Sequence, residues 1–279
     1  MTTTSRAGRA SAESYDEHGR NLWRGKASAY QRSFASLCAH PVPVLLDALF
    51  VAAGSRLLDV GCGTGSLTEA AAARGAVVTA VDAEPSMVDA TTERVPAART
   101  SVAVLPVLPF SDAAFDAVAA NFVVNHVARP AEAVAELARV VRPGGRAGVA
   151  IWPYPQPPLQ RLWDDVLAAA EVERPPMPSL APEADFPRTL GGLRALLAGA
   201  GLLGVESRAV EWQHRVHPER WWAGAADGIA TIGYVVSRQD EATVQRMKTA
   251  FDRLVQPHLD SHGMLCLPTA ALLAVGTAG

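Results

Sequence analysis

Two carboxylates and three glycines set the chemistry that this sequence is built to perform. Asp59 precedes Gly61 by two residues, glycine recurs at every second position as Gly61, Gly63 and Gly65, and Asp82 follows Gly61 by 21 residues. Glycine accepts positive φ and, lacking Cβ, lets a ligand lie directly on the main chain. A loop of this kind that opens into a helix presents unpaired backbone N–H groups, which suits a nucleotide-sized ligand. A carboxylate at Asp82 can accept both hydroxyls of a ribose, each charge-assisted bond worth about 1.5–3 kcal/mol. Asp59 is placed to meet a cationic amino group or to bind a water behind the loop.

Other residues are candidates for work on a second molecule. His126 is the one histidine between residues 54 and 152, and an imidazole with an ordinary pKa near 6.5 suits a base that takes a proton from an acceptor oxygen or nitrogen. The alternative is a loop histidine with a structural role. Trp152 and Tyr154 follow an apolar run and are expected near the mouth of a site, with Trp221 and Trp222 closing it from above or packing a cap onto a sheet. Tyr15, Trp23 and Tyr30 form either a lid or core. Asp112 and Asp116 read as turn residues. His214, His217, His258 and His262 lie late in the chain at spacings that make no metal site, and surface placement is expected for most of them.

The elements that position these groups follow from periodicity. Arg56–Val60 is a near-continuous apolar run ending in the glycine loop, the pattern of a parallel strand covered on both faces. Ser66-x-x-Glu69 then has the capping-box pattern, with Leu67, Ala70 and Ala71 at helical spacing. Ala76–Asp82 repeats the strand, and Pro85 opens a second helix. Further strands are expected at Ser101–Leu105, Phe115–Phe122 and Ala147–Trp152. A helix from Pro130 is stopped by Arg142-Pro143-Gly144-Gly145. Strands alternating with helices over short connections give an α/β, doubly wound, mostly parallel sheet. Both acids then sit at the carboxyl ends of adjacent strands, where open sheets bind ligands. After Trp152 prolines crowd the chain around a helix at Leu159–Ala170. A helix at about Leu190–Ala200, a strand near Gly204–Trp212 and a last strand at Ala270–Val275 complete a seven-stranded sheet.

The expected organisation is a disordered tail over 1–12, N-terminal helices over 13–53 and a cofactor-binding core over 54–152. A first cap segment follows over 153–188, then a core helix and strand over 189–212, a second cap segment over 213–267 and the last strand over 268–279. The cap is expected to be mainly helical, with Val244, Met247, Phe251, Leu254 and Val255 on one helix face.

Taken in order, Asp59-x-Gly61-x-Gly63-x-Gly65, Asp82, Leu108-Pro109-Phe110-Ser111-Asp112-x-x-Phe115-Asp116 and Arg139-Val140-Val141-Arg142-Pro143-Gly144-Gly145 resemble the class I S-adenosylmethionine-dependent methyltransferases. The similarity covers about residues 55–152 and implies a Rossmann-like methyltransferase fold. It implies that Gly61, Cys62, Gly63 and Gly65 pack against the methionine part of S-adenosylmethionine, with Asp59 beside them, and that Asp82 holds the ribose. Ala83 and Met87 would border the adenine, Leu105 and Pro106 its other edge, and Asn121 and Phe122 the floor where methyl group and acceptor meet. Members of the family often carry an acid where Val104 stands. Valine cannot accept a hydrogen bond from the adenine amino group, so a backbone carbonyl or apolar contact would hold that edge.

Two other functions share parts of this pattern. A nicotinamide-dependent oxidoreductase also has a glycine loop and an acid about 20 residues on, but Ser66 occupies a position where that fingerprint expects Gly or Ala. A protein could also bind S-adenosylmethionine without transferring its methyl group. Transfer would leave S-adenosylhomocysteine as product.

Composition narrows the partners. A formal net charge of −3 over 279 residues argues against nucleic acid, whose phosphates need a basic face. No apolar run approaches membrane-spanning length. Three cysteines far apart, Cys38, Cys62 and Cys266, suggest neither a disulfide framework nor a zinc site and fit a reducing, cytoplasmic setting. The expected partner is a small-molecule methyl acceptor, with no metal required, and the sequence leaves open whether the protein is a homo-oligomer.

Overall fold

The computed structural model describes residues 6–180 and 182–279, and the chain is helical from the first of these. Helix α1 (Arg6–Trp23) therefore takes in residues 6–12, which were expected in a disordered tail, while residues 1–5 lie outside the described residues. Three short helices follow, α2 (Ala27–Arg32), α3 (Ala35–Ala39) and α4 (Val42–Ala48). Leu45 and Leu46 of α4 are fully buried, so this helix covers the sheet instead of standing apart from it.

Strand β1 (Arg56–Val60) carries Leu57 and Leu58 with no exposed surface, one on each face, which is why its sequence is apolar without alternation. It pairs in parallel with β2 (Val77–Asp82) on one side and β4 (Phe115–Asn121) on the other. Between them, α5 (Ser66–Ala73) and α6 (Pro85–Arg94) make the crossovers. Strand β3 (Arg99–Val102) lies at the sheet edge beyond β2. It was expected at Ser101–Leu105; the pairing with β2 ends at Val102, and Leu105 and Pro106 belong to the loop beyond.

On the other side α7 (Pro130–Val140) leads straight into β5 (Val141–Ile151). Gly145 is required there because a Cβ would lie 2.6 Å from the Asp116 carbonyl oxygen. The Arg56 and Arg142 guanidiniums both bond Asp116 Oδ1, at 3.0 and 2.7 Å. Arg139 pairs with Asp112 at 2.6 Å; Asp112 lies in a turn as expected, whereas Asp116, expected in a turn, is a residue of β4 held by two arginines.

Helix α8 (Pro158–Ala169) begins the first cap segment, and α9 (Leu190–Gly199) returns the chain to the sheet. Strand β6 (Leu203–Val216) then precedes the helices α10 (Pro218–Ala226), α11 (Ala230–Val236) and α12 (Glu241–Val255), and β7 (Leu265–Thr277) ends the chain. The seven strands run β3-β2-β1-β4-β5-β7-β6, with β7 antiparallel to both neighbours. Both last strands are longer than their sequences suggested. Val216 pairs with Leu265, whereas β5 meets β7 only from Leu272 onward, so the hairpin runs past the sheet and carries its outer half under the cap. The expected cap segment 213–267 accordingly includes strand at both ends.

Three cores result. One packs α7 and α9 on one sheet face through Leu137, Leu193 and Leu197; a second packs α4 and α5 on the other through Leu45, Leu46 and Leu67. The third lies inside the cap, where Trp163, Met247 and Phe251 meet Trp221 and Trp222. A cap with its own apolar core can hold its shape over the sheet edge and leave a space between the two. Among the described residues no helix is long and apolar enough to cross a membrane.

Candidate functional site

The glycine loop leaves β1 with Gly61, Gly63 and Gly65 all at positive φ, 71°, 55° and 83°. Gly61 and Cys62 donate their N–H groups to the Val81 carbonyl at 2.7 and 3.0 Å, which ties the loop to the end of β2. A Cβ on Gly61 would fall 2.3 Å from Val123 Cγ2, so only glycine fits. Gly65 faces Thr91 of α6, and its role is close approach of loop and helix. It also serves as the N-cap of α5, without a side-chain bond. The expected capping box does not form: Glu69 pairs with Arg94 at 2.7 Å, and Ser66 Oγ accepts from the same guanidinium at 3.3 Å.

Asp82, at the carboxyl end of β2, reaches back to this loop. Its Oδ2 accepts the Gly63 N–H at 2.9 Å and its Oδ1 the Glu84 N–H at 2.9 Å. Burial raises its pKa and these backbone bonds oppose the rise. Glu84, which lies outside the sequence motifs, caps α6 through Ser86 and also accepts the N–H of Gly25 at 3.0 Å, fastening the end of α1 to the site. Its signal was present as an acid one residue before the helix-opening Pro85.

A cavity of about 610 Å³ opens beside these groups, between the carboxyl ends of the strands, α1 and the cap. Gly61, Gly63, Asp82, Ala83 and Met87 line it at one end, with Val104 and Leu105. Asn121 and Phe122 line it where β4 ends. Cys62, Gly65, Pro106 and Asp59, all expected against a cofactor, do not. Cys62 is turned inward, its thiol receiving the Thr91 hydroxyl at 3.4 Å.

Asp59 borders a separate recess of about 30 Å³ behind the loop, shared with Thr64, Ser66 and Asn121. It is buried, Oδ2 accepts the Thr68 hydroxyl at 2.6 Å, and Oδ1 has no partner. Desolvation pushes its pKa up to about 7. Its first task is thus to hold β1 to α5.

At the floor, Asn121 Nδ2 donates to the Cys38 carbonyl at 2.9 Å, and its Oδ1 has no donor. Phe122 takes φ 60°, uncommon for a residue with a Cβ, and its ring stacks on Trp152 at 3.9 Å. His126 sits in a short 3-10 turn, Val124–His126, its ring edge-on to Trp23 at 5.9 Å. Burial, and secondarily the charge of Arg188, pushes its pKa down to about 4. It is therefore neutral near pH 7 and able to accept a proton, though less basic than an exposed imidazole.

Tyr15, Trp23 and Tyr30 all line the cavity, so the N-terminal helices form part of its wall. Trp152, Tyr154 and Trp221 line it as well; Trp222 does not, and is cap core against Phe251 at 5.4 Å. His214 is buried beside Trp221 on β6, not on the surface, because the hairpin extension lies under the cap. Gln160, Trp163 and Arg188 are lining residues that no local pattern marked.

Comparison with known proteins agrees with this geometry. Residues 58–149 match the model of the methyltransferase domain family. An uncharacterized methyltransferase of Mycobacterium bovis is 40% identical over 124 residues, 44% of this chain and 49% of that protein. The demethylmenaquinone methyltransferase of Renibacterium salmoninarum is 34% identical over 128 residues, 46% of this chain and 54% of that protein. The match thus spans about half the length of these curated relatives. Among solved structures, a phosphoethanolamine N-methyltransferase of Haemonchus contortus with S-adenosylhomocysteine bound shares the fold, with a TM-score of 0.57 at 15% identity over 94% of this chain and 60% of that one. Over residues 58–149 the chain is thus similar to the methyltransferase domain family, and its sheet order and loop geometry agree with that likeness.

Proposed function

We propose that the protein is an S-adenosylmethionine-dependent methyltransferase acting on a small molecule. The observation that carries this reading is that the glycine loop and Asp82 line one end of a cavity that continues under the cap. The residues present fit the cofactor. Asp82 retains lone pairs beyond its two backbone bonds for ribose hydroxyls, and the Asn121 carbonyl oxygen, which lacks a donor, suits an amino group. Met87 and Leu105 offer an apolar slot for a flat base, with Val104 in place of an acid. When bound, S-adenosylmethionine supplies an already activated methyl group.

The chain's own residues then align an acceptor and exclude water, and such orientation lowers a barrier by about 7–11 kcal/mol in the best cases. Phe122, Trp152 and Asn121 position the acceptor at the floor, and neutral His126 takes its proton where the acceptor arrives protonated. The cap and α1 cover the site, which favours a small molecule over a macromolecule. The cysteines, all free, accord with a reducing, cytoplasmic setting.

Calorimetry against S-adenosylmethionine, S-adenosylhomocysteine and NAD tests the cofactor. Binding of both adenosyl compounds and not of NAD is expected; failure of both would sink the proposal. Formation of S-adenosylhomocysteine together with a methylated acceptor distinguishes an enzyme from a protein that only binds the cofactor.

A further inference from the structure

Beyond the cofactor end the cavity runs into the cap, where its lining has a definite chemistry. Phe34, Trp163 and Trp221 border it, with Phe34 4.6 Å and Trp163 6.0 Å from Trp221 between ring centroids. Such surfaces favour a flat apolar molecule through burial and offset stacking. Two cations nearby are already paired. Arg174 is paired with Asp164, Arg188 with Asp185 at 2.5 Å, and Asp16 accepts the Ala128 N–H at 2.7 Å. Arg20 stands at the exposed rim. An anionic acceptor would lose its hydration without gaining a free buried cation.

Two donors at this end are unanswered. Gln160 Oε1 accepts the Thr269 hydroxyl at 2.9 Å, and Nε2 is buried without an acceptor. Trp221 is 2% exposed, and its indole N–H also lacks one. Both residues line the cavity, Gln160 from α8 and Trp221 from α10. A buried donor left unpaired costs about 1–3 kcal/mol. A carbonyl oxygen answers such a pair, since it has two lone pairs and brings no hydrogen of its own.

Resting on the methyltransferase reading, we propose that the acceptor is a flat aromatic molecule without negative charge that bears a carbonyl oxygen, received at the Gln160 and Trp221 end of the cavity. The methyl-accepting atom then lies toward Asn121, Phe122 and His126.

The test compares two probes of one frame, hydroxyanthraquinone and hydroxyanthracene, by calorimetry on the full chain with and without saturating S-adenosylhomocysteine. The quinone is expected to bind about tenfold tighter, the worth of one to two answered donors. Trp221→Phe and Gln160→Leu should each bring that ratio toward one, and anthraquinone carboxylate should bind more weakly than the hydroxy compound. Equal binding of the two probes, an unchanged ratio in the variants, or no binding of any tricyclic probe would overturn the proposal. If Trp221→Phe does not fold, Gln160→Leu at the half-buried start of α8 decides the matter alone. Failure of S-adenosylhomocysteine to bind strikes instead at the methyltransferase reading, and the probe ratio without it still decides this one.

Discussion

Replacing Asp82 with alanine removes the group that joins the loop to the proposed ribose site. The carboxylate holds two backbone N–H groups, those of Gly63 and Glu84, each at 2.9 Å, and its remaining lone pairs face the cavity. Each charge-assisted bond to a ribose hydroxyl is worth about 1.5–3 kcal/mol, so loss of even one weakens binding about 10- to 150-fold. Asp82→Ala is therefore expected to reduce S-adenosylhomocysteine affinity at least tenfold by calorimetry. The variant also frees the Gly63 and Glu84 N–H groups, which thermal melting would record as a separate loss of stability. An analogue lacking one ribose hydroxyl separates the two effects: the wild type should bind it more weakly than the parent compound, and Asp82→Ala should not distinguish them. Unchanged affinity in the variant, together with a wild type indifferent to the missing hydroxyl, would refute the assignment.

The buried Asp59 makes stability depend on pH. Its carboxyl keeps a proton up to about pH 7 in the folded state, while an ordinary aspartate loses it near 3.8. The folded chain thus binds more protons across that window, and stability falls as pH rises through it, by at most on the order of 4 kcal/mol. Asp59→Asn can still accept the Thr68 hydroxyl, so its melting temperature relative to wild type should rise between pH 5 and pH 8; a constant difference would show that Asp59 is charged when folded. His126→Ala is expected to slow turnover about 10²- to 10⁴-fold with little effect on cofactor affinity. Because the folded His126 pKa lies at about 4, wild-type turnover should hold its rate through pH 6.5 and fall only toward that value, and a midpoint near 6.5 would assign the proton to another group. Gly61→Ala should destabilise the protein by about 1–3 kcal/mol, because its Cβ would lie 2.3 Å from Val123 Cγ2 at φ 71°. Val123→Ala in the same chain should recover part of that loss, and no recovery in melting temperature would place the strain elsewhere.

The core was legible because both faces of the sheet are buried. Leu57, Leu58, Val81 and Val118 have no exposed surface, so their runs are apolar and bounded by glycine, proline or acid. Edges were less legible. Strand β3 has exposed side chains, and neither alternation nor a continuous apolar run marks its limits. The outer halves of β6 and β7 were missed because they pair only with each other under the cap, and residues such as His214 and Trp212 carry no strand pattern of their own. Cys62 and Gly65 were expected at the ligand because motif spacing gives position along the loop and not the direction in which each residue faces.

Local sequence by itself determined the loop: Asp59, the alternating glycines and Asp82 imply a strand, a turn at positive φ and a carboxylate at the next strand end, since those requirements are met within a few residues of chain. The acceptor chamber was decided by tertiary structure alone. Gln160 and Trp221 lie 61 residues apart in the chain on different helices, and their unanswered donors acquire meaning only when packing of the cap buries both beside one cavity. Burial likewise moved the Asp59 and His126 pKa values in opposite directions, because desolvation disfavours the charged form of each.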